Sequence, residues 1–147
     1  MRASVPSYLL VLLCLGCTPE DVLGPNDLVG TYTAGTFNLV HNADTTDVLA
    51  AGGSIVINLA STGVTSGQLT VPASLAGGTE FVADMAGTFA ISGNSVHFTQ
   101  GADTFVRDLS FTITGAGPVV SLAGSATFSD TTVNIVLTRG GILVPLR

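Results

Sequence analysis

Residues 81–100 read FVADMAGTFAISGNSVHFTQ, and this stretch decides the fold. From Phe81 to Ile91 the odd positions Phe81, Ala83, Met85, Gly87, Phe89 and Ile91 form one apolar face, the period-two pattern of a half-buried strand. Gly87 interrupts that face with no side chain, where a strand bends to follow a curved sheet. Ser92-Gly93-Asn94 is a tight turn, and the run 95–100 returns with Val96 and Phe98 pointing inward. Two alternating strands around a short polar turn make a hairpin, and the rest of the chain repeats the theme.

On the N-terminal side, residues 54–60 (SIVINLA) and 64–72 (VTSGQLTVP) make a second hairpin, ended by Pro72. An opening run at 29–40 (VGTYTAGTFNLV) precedes them. The longest connection, 41–53 (HNADTTDVLAAGG), has room for one helical turn at Val48–Ala51 before Gly52 and is expected to lie across one barrel end. On the C-terminal side a long strand is expected from Phe105 to Thr114, with Phe105, Leu109, Phe111 and Ile113 on one face. Residues 119–128 alternate through Val120, Leu122, Ala126 and Phe128, and residues 131–139 through Val133, Ile135 and Leu137. The count is about eight strands with short connections and no sustained helical period. The fold class is therefore all-β, an antiparallel meander closed into a small barrel, which abolishes exposed sheet edges. A two-sheet sandwich is the alternative, and periodicity does not separate the two.

The first residues carry an address. Arg2 supplies a positive start, Tyr8 to Gly16 (YLLVLLCLG) an apolar run, and Gly16-Cys17 a small residue before a cysteine, as in a secretory signal over residues 1–16. That run is about half the ~20 residues needed to span a bilayer. Residues 17–27 then form a tether rich in proline and acid, and 28–147 a single domain. Cys14 and Cys17 are the only cysteines, so cleavage before Cys17 leaves no disulfide, thiolate metal site or cysteine nucleophile in the folded part. Beyond the signal, three arginines and no lysine face ten acids, a net charge of −7. Such a surface speaks against nucleic acid or anionic headgroups as electrostatic partners.

Few side chains could carry chemistry. The phase of Phe105, Leu109 and Phe111 puts Arg107 on the apolar face, where a guanidinium requires a carboxylate or an anionic ligand. Asp84 and Asp103 are the candidate carboxylates, while Asp108 falls on the opposite strand face. Alternatively Arg107 snorkels at the rim, or a bulge shifts the phase and turns it outward. Were the barrel hollow, Arg107, Phe105, Phe89 and Met85 would be the ligand-binding set. His41, Asp44 and Asp47 offer one nitrogen and two carboxylates, but lack the ligand order of a calcium loop and are more simply turn formers. No metal or cofactor is expected. His97 alternates outward as a solvated strand residue. The chain holds no Gly-x-Ser-x-Gly, phosphate loop or dinucleotide fingerprint, and neither histidine has a nearby nucleophile, so no enzyme is expected.

Cys14-Leu15-Gly16-Cys17 resembles a lipobox, although Cys14 occupies a position where an aliphatic residue is usual. With Leu28-Val29-Gly30-Thr31-Tyr32 opening the first strand and Val136-Leu137-Thr138-Arg139 closing the last, nearly the whole mature chain resembles the small lipocalin-like lipoproteins of bacteria. That resemblance implies a calycin-like barrel and a lipid on Cys17 as the membrane contact. Thr18 in place of aspartate implies an outer-membrane address. Lipocalins pair Gly-x-Trp on the first strand with an arginine ending the last; here Tyr32 and Arg139 stand in those places, a barrel-closing pair whose cation–π contact would be worth about 0.5–1 kcal/mol when exposed. The alternative is an ordinary core tyrosine and a surface charge ending a strand. Functionally the resemblance implies a non-enzymatic envelope protein binding a small apolar ligand in the barrel mouth; a solid core would instead imply a structural or protein-interaction module. A cavity of roughly 300 Å³ or more would favour the first. The tail 140–147 (GGILVPLR) is apolar enough to pack on the barrel end or to meet a partner.

Overall fold

A computed structural model describes residues 24–116 and 119–140. The signal at 1–16, Cys17, the first part of the tether and the tail from residue 141 lie outside the described residues. Ten strands follow one another: β1 (Gly30–His41), β2 (Asp44–Asp47), β3 (Ser54–Leu59), β4 (Val64–Val71), β5 (Phe81–Asp84), β6 (Gly87–Ser92), β7 (Ser95–Gln100), β8 (Ser110–Ala116), β9 (Val119–Phe128) and β10 (Thr131–Arg139). Eight of them, in the order β10-β9-β8-β7-β6-β4-β3-β1, pair antiparallel, and β1 pairs β10 to close the ring. The closed barrel, not the sandwich, is the fold, and it is calycin-like in strand number and order.

The closing seam is long. β1 and β10 run in register from Tyr32↔Arg139 to His41↔Thr131, with one irregularity between Ala34 and Thr36. Alternation does the rest: Ile55, Ile57 and Leu59 of β3, Val96 and Phe98 of β7, and Val133, Ile135 and Leu137 of β10 all point inward. Each such side chain contributes about 1.5–3 kcal/mol on burial. Phe98 and Phe111 meet edge to face, with centroids 5.3 Å apart.

β2 and β5 are the two strands outside the ring, and both had looked different in the sequence. β2 lies within the expected loop 41–53. Its four residues, DTTD, are all exposed and show no apolar face, so only pairing with Asn38–His41 of β1 makes them a strand. The turn at Val48–Ala51 follows it, with Asp47 Oδ1 accepting from the backbone N–H of Leu49 at 2.9 Å. The expected strand 81–91 is broken in two. β5 pairs with the upper half of β4, then Met85 and Ala86 leave the ladder and β6 resumes at Gly87. A side chain on Gly87 would collide with the carbonyl oxygen of Thr99 on β7, so the bend there depends on glycine. Phe81, assigned to the inward face, is 41% exposed, because β7 ends at Gln100 opposite Gly87 and no strand covers the outer side of β5.

The second correction concerns 105–114. Phe105–Asp108 is a short 3-10 turn, and the strand begins only at Ser110. An apolar period of two continued through Phe105 by coincidence. In the structure Val106, not Phe105, is the fully buried residue of this segment.

Candidate functional site

The barrel has two unlike ends. At the base lie the hairpin connections 60–63 and 93–94, the end of β8 and the start of β9; at the mouth lie 42–53, 72–80, 101–109 and 129–130. Each end is shut by a 3-10 turn.

At the base, Pro25–Leu28 folds across the opening with Leu28 fully buried. Proline at its first position costs no hydrogen bond there. Asp27 Oδ2 accepts from Gly24 N–H at 2.8 Å and steadies the turn. Read from the sequence as the end of a tether, these residues belong instead to the barrel. Arg139 fastens them: its Nη1 donates to the carbonyls of Asp27 at 2.9 Å and Val29 at 3.1 Å. The stem of Arg139 passes over Gly30, where a Cβ would lie 2.8 Å from Arg139 Cδ, and Gly30 itself has φ +146°. Glycine in the Gly30-x-Tyr32 sequence is thus explained twice, by the arginine stem and by backbone conformation.

Tyr32 sits directly opposite Arg139 and is fully buried. Its hydroxyl makes no hydrogen bond of acceptable geometry among the described residues. Desolvation pushes the phenol above its ordinary pKa, against a smaller pull from the nearby Arg139 charge, which favours the phenolate. The guanidinium is engaged with the two backbone carbonyls, so its principal bonds fasten the base turn.

At the mouth, Phe105–Asp108 inserts Val106, and Phe105 packs against Phe37 with ring centroids 5.6 Å apart. Arg107 points outward. It pairs with Asp103, and its Nε lies 3.7 Å from Asp108 Oδ1. Asp108 therefore approaches the arginine from which strand geometry had separated it, because a 3-10 turn brings neighbours to one side. Among the described residues Arg107 pairs with Asp103 and Asp108 and not with Asp84, whose Oδ1 accepts from Ala86 N–H at 2.9 Å. Phe89 and Met85 lie inside the core, so the four residues of the expected ligand set divide between a solvent-facing arginine, a half-buried mouth residue and two interior ones.

Reasoning from sequence missed a buried polar group beneath the mouth. Where Met85 leaves the ladder its carbonyl accepts from Thr65 Oγ1 at 2.7 Å and from Gln100 Nε2 at 3.4 Å, while Thr104 Oγ1 donates to Gln100 Oε1 at 3.4 Å. All three polar side chains are buried. They satisfy a backbone group that the strand break would otherwise strand without a partner. A signal existed: Val96, Phe98 and Gln100 share one face, and a glutamine at the third inward position asks for a partner.

His41 forms no cluster with Asp44 and Asp47 of metal-binding geometry among the described residues. Its Nδ1 lies 3.4 Å from Asp130 Oδ1, across the β1–β10 seam. His97 is exposed, 3.5 Å from Ser110 Oγ.

The interior is the remaining place for a ligand. Ile57, Leu69, Met85, Val96, Phe111 and Leu122 have 0% exposure, and these residues line successive levels of the barrel on five of its strands and at the β5–β6 break. Each of these six side chains is closed off from solvent by its protein neighbours. No protein-family model matches the chain, and a search of curated proteins returns no match.

Proposed function

We propose that this chain is a non-catalytic envelope protein, exported and held to the outer membrane by lipid on Cys17, whose barrel is a solid structural or protein-interaction module and not a carrier. The observation that carries the choice against a carrier is the complete burial of Ile57, Leu69, Met85, Val96, Phe111 and Leu122, inward side chains at successive levels of the barrel. A drug-sized or lipid ligand needs a pocket of roughly 300 Å³ or more, and small eight-stranded barrels can instead be filled by their own side chains. The 3-10 turns at both ends, with Leu28 and Val106 buried beneath them, add to that reading. Export and anchoring are supported by the charged start, the short apolar run and Leu15-Gly16-Cys17.

Native mass spectrometry of the protein purified from membranes of its host tests both halves. The expected mass is that of the chain from Cys17 with one lipid modification and nothing else bound. A stoichiometric second adduct that persists in a soluble Cys17→Ser form would overturn the solid-barrel reading. A Cys17→Ser chain that still carries the acyl mass and stays with the membrane would overturn the anchor.

A further inference from the structure

The described charges are divided unevenly between the two ends of the barrel. Mouth elements hold Asp44 and Asp47 on β2, Glu80 just before β5 and Asp130 in the β9–β10 turn, while Asp84, opposite Gln68 in the middle of β4, stands lower on the outer wall. Asp103 and Asp108 join those at the mouth, with Arg107 as the sole cation at that end among the described residues. At the base the described charges are Asp27 and Arg139 alone. Its hairpin connections, Ala60-Ser61-Thr62-Gly63 and Gly93-Asn94, are uncharged.

Apolar exposure follows a related division. Val29, Val64 and Val119 stand exposed at the base, Val119 at 72%. The mouth also exposes Phe81, Val82 and Phe128, but each of these is within two residues of Glu80, Asp84 or Asp130. An apolar side chain beside a carboxylate gains little from a bilayer interface, since the charge must keep its water. At the base Val29 is two residues from Asp27, whereas Val64 and Val119 have no carboxylate within two residues.

The chain enters and leaves the barrel at the base, at Gly24 and Gly140, the latter bonded to Thr31 O at 3.0 Å. Seven peptide links separate Cys17 from Gly24, a reach of at most ~25 Å. A lipid on Cys17 therefore draws the base, not the mouth, toward the membrane.

From this juxtaposition we propose that the base of the barrel, with Val29, Val64 and Val119, rests on the lipid bilayer that holds the anchor, and that the acidic mouth faces away. The proposal rests on the anchor reading above. The tether alone would let the barrel roll; charge selects the orientation. Near an anionic surface the mouth carboxylates are repelled within a Debye length of about 8 Å, whereas the described residues of the base carry one charge of each sign, Asp27 and Arg139. The exposed valines then gain by partial burial at the interface.

The lipidated mature chain offers a direct test, because Cys17 is its only cysteine and the lipid blocks that thiol. Val119→Cys and Thr45→Cys variants, each labelled with an environment-sensitive fluorophore, are placed on phosphatidylethanolamine–phosphatidylglycerol vesicles carrying nitroxide lipids. Strands of this length set the two labels ~20–25 Å apart along the barrel, so the base label should be quenched at least about twofold more than the mouth label. Equal or reversed quenching, with the protein floating on the vesicles, overturns the orientation and leaves the anchor intact. Failure to float refutes the anchor and the orientation with it. Adding Ser61→Asp and Thr62→Asp at the exposed base turn should shrink the contrast toward unity; an unchanged contrast would refute charge as the selector.

Discussion

Replacing Arg139 with methionine isolates what its guanidinium does. Methionine keeps an unbranched apolar stem over Gly30 and removes the two donated bonds, at 2.9 Å to Asp27 O and 3.1 Å to Val29 O. A hydrogen bond from a charged donor is worth about 1.5–3 kcal/mol when well protected, and Arg139 is partly exposed, so about 1 kcal/mol for each bond is the appropriate scale. The expected loss is about 2 kcal/mol, or ~6–10 °C in Tm for a domain of this size. Thermal and urea unfolding followed by circular dichroism would measure it, with the slope in urea unchanged if the same surface is exposed. Arg139→Lys should recover part of the loss, since an ammonium keeps the charge and the donors but its shorter stem does not carry them to where Nη1 meets the two carbonyls. Amide exchange should locate the effect at Asp27 and its neighbours, while β7 and β8 keep their protection. A loss under about 0.5 kcal/mol, or one spread evenly over the barrel, would refute the claim that Arg139 fastens the base turn.

Tyr32 makes stability depend on alkaline pH. Its folded pKa is raised above the ordinary value near 10, chiefly by desolvation. The folded state therefore holds the phenolic proton more tightly than the unfolded chain. The stabilisation is fully present below pH 10 and is lost as pH rises from there through the folded pKa. In a chain that begins at Cys17, Tyr32 is the sole tyrosine, so phenolate absorbance reads it alone; titration at or below the free value would contradict the burial argument. Thr65→Val, close in volume, removes the 2.7 Å donor to Met85 O and should cost about 1–3 kcal/mol by leaving that carbonyl short of a partner. A neutral outcome in chemical denaturation would mean that Gln100 suffices.

Local pattern made most of the barrel legible. Alternation over β7, β9 and β10 depends only on which residues in a strand face the same side, and those three strands span the residues the sequence predicts, although Phe128, expected on the apolar face of β9, is exposed at its mouth end. Where a strand has no apolar face, as with Asp44–Asp47, its existence is a property of the neighbour it pairs with, and nothing in the four residues reveals it. The opposite error arose at Phe105–Asp108, where apolar spacing fits a strand and the chain instead makes a turn that closes the mouth. Of the two readings open for Arg107, inward on the apolar face or outward at the rim, the structure shows the outward one, paired with Asp103.

By itself the sequence determined an all-β domain of about eight strands, its acidic character and the absence of cysteine from the folded part, because these follow from composition and a two-residue period. It also placed Tyr32 and Arg139 near the ends of the first and last strands. Only the tertiary structure decided that β1 meets β10 to close the ring, and that Arg139 spends its donors on the base turn. It alone decided that Ile57, Leu69, Met85, Val96, Phe111 and Leu122 are fully buried inside the ring and that most carboxylates of the described residues gather at one end. Closure, burial and polarity depend on which strands become neighbours and which ends they share, and such relations between distant residues leave no local period to read.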